Sequence, residues 1–535
     1  MIKNKISDYL KEKGTNTKLE HPSVEKFGDY AVRGEIDISK LNIIEKVDKV
    51  GAFNNLWIKQ EILVDEAELI LNDKYKTDLA KIGHSKTVVI DYSAPNIAKP
   101  FGIGHLRSTN IGQALYNIYQ TLGWKCIGDN HLGDWGTQFG KMITAIIRYQ
   151  MSDLRFQLKD KNKNLEEFSI NDLEKLYISF HSAAEVDETL NNTAREWFAK
   201  LEKGDDEAKK IWQECVDISL SEFNRVYELL NVKIDNAYGE AFYLPMLPEI
   251  VKMFRDKKMT KISEKAEIVE LPNLPPIILL KSDEATTYFT RDLATIKFRV
   301  EKWNPDLFIY EVGSEQNLYF KQVFAAAKMV GWDKDYVHIG HGMIRWKDGK
   351  FSTRKGDTIH LSDVIDKAID MAKSMAPEND NESIMKVAIG AVKFNDLVSD
   401  PKKDVVFDWD RVMSMEGNSA PYLQYTYARC KSVIGKITDN RAQITENVRF
   451  DENELPLLRY FYIFEEKIIE AGERYSPAVL AEYLLNLARK YNEFYGKCRI
   501  VGEPEETRRV FLTQVTAKII KDGLTILGIE TLEKM

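Results

Sequence analysis

Between Thr87 and Gly128 the chain changes its hydrophobic period twice. Thr87-Val88-Val89-Ile90 is a short β-branched run ending at Asp91, followed by a loop with two prolines and two glycines. Ile111, Ala114, Leu115, Ile118 and Leu122 then recur at i, i+3, i+4, i+7 and i+11, the stripe of an amphipathic helix stopped by Gly123. Trp124–Gly128 is a second strand candidate. Strand, loop, helix and strand in this order form the unit of a doubly wound α/β sheet.

The same patterning divides the rest of the chain. Residues 1–81 read as a small α+β N-terminal domain, turn-rich at His21–Tyr30 and aromatic at Gly51–Ile58, with a helical connector from Lys59 to Lys81. The α/β domain is expected over 82–385. A helical insertion at about 150–235 interrupts it, carrying Trp212, Val216, Ser219, Phe223, Val226 and Leu230 at helical spacing. Ile277–Leu280, Leu307–Val312, the amphipathic Leu318–Val330 and the alternating Tyr336–Trp346 then resume what reads as one parallel sheet. Residues 386–535 read as helical throughout, an all-α bundle with helices at Tyr422–Ile437, Pro456–Glu473, Pro477–Tyr495 and Glu505–Lys521. The fold class expected is multidomain α/β.

Composition narrows the function. The chain has 535 residues, 44% hydrophobic and 11% aromatic, enough for three or four folded domains at roughly 100–200 residues each. No apolar stretch is long enough for a membrane span, and the charged start MIKNKISDYLKEKG lacks a secretory core, so a cytoplasmic protein is expected. Cys126, Cys215, Cys430 and Cys498 are scattered, with no CxxC pair and no zinc-ligand spacing, so no structural metal is expected. A net charge of −8 excludes a grossly basic nucleic-acid binder but leaves room for a local basic face.

Two motifs carry chemistry. Asp91-Tyr-Ser-Ala-Pro-Asn-Ile-Ala-Lys-Pro-Phe-Gly-Ile-Gly-His105 joins the first strand to a helix N-terminus, where backbone N–H groups favour an anion. Gly102 and Gly104 allow close approach of a nucleotide, and Lys99 and His105 supply donors. The spacing matches neither a Walker A loop nor GxGxxG. Alone, the motif suits a tight turn with a packed histidine equally well. Gly349-Lys350-Phe351-Ser352-Thr353-Arg354-Lys355-Gly356 places three cations and two hydroxyls between glycines. Such a loop can close over a polyphosphate, and a solvated surface loop has the same composition.

Together these motifs resemble the paired signatures of class I aminoacyl-tRNA synthetases. Asn130 to Gly140 (NHLGDWGTQFG), Leu201 to Asp205 (LEKGD), Tyr288 to Asp292 (YFTRD), Phe407 to Asp410 (FDWD) and Gly417 to Tyr425 (GNSAPYLQY) are similar to the arginyl-tRNA synthetase family specifically, so the resemblance spans nearly the whole chain. It implies a Rossmann-like catalytic domain, an N-terminal domain contacting the tRNA elbow and a bundle holding the anticodon stem-loop. The implied reaction is ligation of L-arginine to tRNA at the expense of ATP, with Mg2+ accompanying ATP, and in this family activation typically requires bound tRNA. Monomers are usual.

The resemblance also implies roles. Lys99, Gly102, Gly104 and His105 would contact ATP, with Lys350, Ser352, Arg354 and Lys355 closing from the other side. A guanidinium is a planar fork of five donors that carboxylates and amide oxygens answer. Asp91, Ser93, Asn96, Glu240, Tyr288, Asp292 and Gln316 would bind arginine, the side chain facing Glu240, Tyr288 and Asp292. Tyr425, Arg429, Arg489, Tyr491 and Arg499 are candidate tRNA contacts, although the tyrosines at helical spacing suit a core as well. Gly102 stands where the first signature usually has histidine, Thr353 where the second usually has its lysine, and Ala241 where a serine is common; the lysine matching Lys99 is thought to compensate for such a Thr353. The N-terminal domain is short for the family. Two other readings stay open on the residues alone: a nucleotidylyltransferase acting on a small acid without RNA, and an inactive relative retained for RNA binding.

Overall fold

The computed structural model describes residues 1–15, 17–34, 37–151, 164–347, 359–437 and 448–535. Near the N-terminus, the helix Ile2–Glu12 buries Ile2, Ile6 and Leu10 against an antiparallel sheet. That sheet comprises β1 (Leu19–Glu20), β2 (Tyr30–Arg33), β3 (Ile44–Val50) and β4 (Phe53–Ile58) in the order β1-β2-β4-β3. Helices Gln60–Leu71 and Lys74–Leu79 form the expected connector.

The central sheet is parallel, with β5 (Thr87–Asp91), β6 (Lys125–Asp129), β10 (Leu307–Gly313) and β11 (Asp335–His341) in the order β11-β10-β5-β6. From β5 the chain winds outward to β6, and from β10 it winds the opposite way to β11. The switch point therefore lies between β5 and β10, where ligands of open α/β sheets bind beyond the carboxyl ends of the strands. Register pairs Tyr310 with Asp91 there. Helix Ile103–Thr121 connects β5 to β6 and presents Ile111, Ala114, Leu115 and Ile118 to the core, as its stripe predicts.

The insertion is helical where expected, with helices at Ile170–Val186, Thr189–Lys203 and Asp206–Leu229. The expectation for Ile277–Leu280 is corrected. It belongs to β9 (Leu274–Leu280), in a separate antiparallel sheet with β7 (Thr260–Ser263) and β8 (Ala266–Leu271). A short apolar run reveals a strand but not its partner, and Pro275-Pro276 fits the edge position that β9 occupies. Tyr336–Trp346 likewise divides into β11 and β12 (Ile344–Trp346). The latter pairs with β13 (Val405–Phe407), so the chain beyond residue 386 is not wholly helical.

The bundle contains helices Ala420–Ile434, Leu455–Phe461, Ile463–Glu473, Ala478–Lys497 and Glu506–Ile526. The single helix expected over Pro456–Glu473 is thus two, meeting at Tyr462, and the boundary expected at 386 falls inside the helix Asn381–Leu397. One buried cluster runs from the N-terminal sheet through β5 into the bundle. Polar contacts reinforce it: Arg459 pairs with Asp29, and the Tyr75 hydroxyl donates to Asp522 at 2.6 Å.

Candidate active site

The loop after β5 is backbone-strained. Ser93 (φ 77°), Ala94 (φ 43°) and Ala98 (φ 62°) all lie in the left-handed region, at about 1–3 kcal/mol each for residues with a side chain. Each strained residue donates its N–H to a side chain of a different element. Ser93 bonds Ser108 Oγ at 2.9 Å, Ala94 bonds Asn130 Oδ1 at 2.9 Å, and Ala98 bonds Ser219 Oγ at 2.9 Å. Tyr227, on the insertion helix, ties two of these together: its hydroxyl lies 2.8 Å from Ser93 Oγ and accepts from Asn130 Nδ2 at 3.0 Å. The insertion therefore braces the loop.

Beyond the ends of β5 and β10 opens a cavity of 470 Å³, lined by Asp91, His131, Glu240, Tyr288, Asp292, Tyr310, Glu315, Gln316, Tyr319 and their neighbours. Five of the seven residues expected to bind arginine meet here: Asp91, Glu240, Tyr288, Asp292 and Gln316. Ser93 and Asn96 do not line it. Ser93 is buried, with its hydroxyl engaged by Tyr227 and Thr109, and Asn96 bridges to Gly133.

The charges of this cavity are arranged unequally. Arg299, fully buried, lies 2.7 Å from Asp91 and 2.7 Å from Asp129. Burial raises both carboxyls above their usual range, opposed by the shared guanidinium, which the two carboxylates hold charged. Glu240 is paired with Arg291 at 2.6 Å, and Arg291 lies 4.8 Å from the Tyr288 ring centre. Asp292 accepts from the Tyr319 hydroxyl and has His131 at 4.0 Å. Burial pushes the His131 imidazole down, toward its neutral form, and pushes the Asp292 carboxyl up. Among the described residues, Asp292 is the cavity aspartate without a Lys or Arg in salt-bridge contact. A ligand cation of guanidinium shape would complete it.

Next to the cavity, Gly102 N–H donates to His105 Nδ1 at 3.2 Å at the start of helix Ile103–Thr121. Burial, and secondarily Lys99, lowers the His105 imidazole to about 4. The ring is therefore neutral near pH 7, with Nδ1 accepting and the proton on Nε2. A Cβ at Gly104 would meet open space, so protein packing does not require glycine there. Lys99 is exposed, 5.6 Å from the Tyr177 ring centre. Lys350, Ser352, Arg354 and Lys355 lie outside the described residues. The chain just after them is anchored to the first signature, since Ile103 N–H donates to Ile359 at 2.9 Å and Leu361 N–H to Phe101 at 2.9 Å.

The candidate RNA contacts separate. Tyr425 and Arg429 line an 890 Å³ cleft with Lys431, Tyr495 and the C-terminal Glu533 to Met535. Arg429 lies 4.7 Å from the Tyr425 ring centre and 5.0 Å from that of Tyr495. Arg489 lines a different groove of 760 Å³ with Lys26, Trp57 and Lys490, and Arg499 is exposed beside Glu503. Tyr491 is corrected. It is fully buried in the bundle core, where its ring cannot stack on a base.

A parallel sheet with its ligand crevice at the β5/β10 switch point, a glycine-histidine helix start and a helical bundle at the C-terminus together define a class I aminoacyl-tRNA synthetase. Residues 66–409 match the model described as "tRNA synthetases class I (R), catalytic domain", and residues 423–535 match the "DALR anticodon binding domain". The chain belongs to the arginyl-tRNA synthetase family. It is 39% identical over 505 residues to an arginine–tRNA ligase of Halothermothrix orenii, covering 92% of this chain and 87% of that one. To the arginine–tRNA ligase of Clostridioides difficile it is 36% identical, covering 100% and 98%. Its fold is similar to the Thermus thermophilus arginyl-tRNA synthetase (TM-score 0.82, 21% identity, 100% and 99% covered) and to that of Plasmodium falciparum (TM-score 0.80, 22% identity, 100% and 97% covered). The chain is an arginine–tRNA ligase that uses ATP.

Residues that line or brace the cavity were missed by sequence reasoning. His131 lay inside a quoted motif and Tyr319 on the helix expected at Leu318–Val330, whereas Arg299 sat beyond the YFTRD motif with no signal of its own. Tyr227 carried no local signal beyond a helical insertion.

Proposed function

We propose that Asp292 is the principal receptor of the arginine guanidinium, with Tyr288 beside it and Glu240 held in place by Arg291. The observation that carries this reading is the unequal pairing of the cavity carboxylates set back from solvent: Asp91 and Glu240 have internal arginines, and Asp292 has none in contact among the described residues, whereas Glu315, which also lines the cavity, is solvent-exposed. Asp91 and Gln316, which also line the cavity, serve the α-amino and carboxylate end, with Ser93 and Asn96 shaping the loop that follows Asp91.

ATP, with its accompanying Mg2+, binds over Gly102, Gly104 and His105. The arginine carboxylate oxygen attacks the α-phosphorus, a new P–O bond forms, and the bond to pyrophosphate breaks. His105 Nε2–H and the Lys99 ammonium donate to the charge developing on the phosphate oxygens, and Lys350, Ser352, Arg354 and Lys355 neutralise the leaving pyrophosphate. The terminal ribose hydroxyl of tRNA then attacks the adenylate carbonyl and AMP leaves. Adenylate formation waits for tRNA, which Tyr425 and Arg429 hold at the bundle, with Arg489 and Arg499 as outlying phosphate contacts. The chain works as a cytoplasmic monomer of three parts, an N-terminal domain, a catalytic domain and a C-terminal bundle.

Arginine-dependent pyrophosphate exchange tests the receptor. Asp292→Asn keeps the shape of the side chain and removes its charge, so arginine KM should rise steeply while ATP KM stays near the parent value. Unchanged arginine KM would exclude Asp292 as the receptor.

A further inference from the structure

Three elements from distant parts of the chain meet at one buried lysine. Lys393, on helix Asn381–Leu397, is 1% exposed. Its ammonium donates to the Leu230 carbonyl and, at 2.6 Å, to the Gly528 carbonyl. Leu230 closes the insertion helix Asp206–Leu229, and Gly528 follows the last bundle helix, Glu506–Ile526. Burial lowers the ammonium to about 7, opposed by the Glu530 carboxylate, and the two carbonyls accept its hydrogen bonds. An aliphatic side chain of the same length would fill the space without that desolvation penalty.

Both carbonyls lead to working parts of the enzyme. Leu230 lies within one helical turn of Tyr227, whose hydroxyl holds Ser93 and Asn130 and hence the strained Ser93-Ala94 backbone beside Asp91. Gly528 lies five residues before Glu533, which accepts from Tyr427 at 2.9 Å, pairs with Lys431 at 3.1 Å and lines the cleft of Tyr425 and Arg429. A second path runs alongside. Asn117 donates to the Ile526 carbonyl at 3.0 Å and accepts from Gln113 at 2.8 Å, and the Gln113 oxygen accepts from Lys233 N–H at 2.6 Å and from the Tyr92 hydroxyl at 3.3 Å.

We propose that Lys393 is a positioning residue that couples tRNA in the bundle cleft to the arginine pocket, by holding the C-terminal tail and the end of the insertion helix as one unit. The inference rests on the reading that adenylate formation requires tRNA. RNA seated against Glu533 to Met535 shifts the tail, Gly528 carries Lys393 and Leu230 with it, and Tyr227 resets the left-handed pair Ser93-Ala94. That pair is the element proposed to move, because its left-handed backbone is held by hydrogen bonds to Ser108 and Asn130 and, through Ser93 Oγ, to Tyr227.

The test measures arginine- and ATP-dependent pyrophosphate exchange with and without tRNA, alongside direct tRNA binding. It uses the full-length wild type, Lys393→Met, Tyr227→Phe and the double variant. Each single variant should bind tRNA within about twofold of wild type yet lose about 10-fold or more of the stimulation by tRNA, the scale of a typical coupling between sites. The double variant should lose no more than the worse single one, since both act on one path. Undiminished stimulation in folded Lys393→Met or in Tyr227→Phe overturns the proposal, as do losses that multiply in the double variant. Should Lys393→Met fail to fold, Tyr227→Phe decides alone. A wild type that tRNA does not stimulate refutes the tRNA-dependent reading itself, a result distinct from a stimulated wild type whose variants are stimulated equally.

Discussion

The proposed arginine pocket and the cleft at Tyr425 and Arg429 handle charge by opposite means. In the pocket charge is largely buried and matched across elements: Arg299 sits between Asp91 and Asp129, Arg291 on Glu240, and Asp292 has no Lys or Arg partner among the described residues. In the cleft the cations are partly or wholly exposed, and Arg429 rests between the faces of Tyr425 and Tyr495. A desolvated carboxylate that lacks its cation is penalised heavily, so the pocket discriminates sharply. An exposed cation beside aromatic faces accepts many partners and is screened by salt, so the proposed RNA contact there would not demand one geometry. Amino-acid choice and RNA attachment would therefore rest on different groups of one chain, even where the two sites are coupled.

The largest expected effect breaks the pocket alone. Asp292→Asn should lower kcat/KM for arginine about 10³-fold or more, since a site built for a charged donor is left mismatched. Its tRNA Kd, measured by filter binding, should stay within about twofold of wild type; a parallel loss of RNA binding would end the separation. His105→Ala should lower kcat in pyrophosphate exchange by about 10²-fold through loss of a donor to the phosphate, leaving arginine KM little changed. Arg429→Ala should weaken tRNA binding about 10-fold, the worth of a stacking cation, without altering arginine KM at saturating tRNA.

Smaller effects sharpen the contrast. Raising salt from about 50 to 200 mM should weaken tRNA binding along a straight log–log line while arginine KM moves much less, because phosphate contacts release counterions. A flat response for tRNA would deny the cleft its electrostatic role. The smallest effect concerns pH. The His105 imidazole titrates near 6.5 when unfolded and near 4 when folded. Between those values the unfolded chain binds a proton that the folded chain does not, so this residue's contribution to stability falls as pH drops from 6.5 to 4. Thermal melts of His105→Asn should show a shallower decline over that window than the parent.

Much of this comparison was legible before any coordinates. The strand-loop-helix unit from Thr87 to Asp129 followed from its periodicity, and Asp91, Glu240, Tyr288, Asp292 and Gln316 do share one cavity. What escaped was pairing between distant segments. Arg299 lies 208 residues from Asp91 and 170 from Asp129, and hydrophobic period carries no information about an ion pair at such separation. Tyr227 was one aromatic residue on an amphipathic helix until folding brought its hydroxyl to Ser93. Tyr491 shows the converse, since its place among aromatics and cations suggested a base contact while its helical phase put it in the core. β12 and β13 are three residues each, too short to show alternation. The net charge of −8 is also an average: from Pro401 onward there are 20 basic and 21 acidic residues, so the C-terminal part is nearly neutral and the rest of the chain carries most of the acid.

The central claim is that the pocket reads the charge of the guanidinium through Asp292, which has no Lys or Arg partner among the described residues. Aminoacylation of tRNA with arginine and with its neutral urea isostere, citrulline, tests it directly, because the two side chains match in shape and differ in charge. Rapid charging with arginine and a kcat/KM for citrulline lower by about 10⁴-fold is the predicted result. Comparable charging with both would contradict the account.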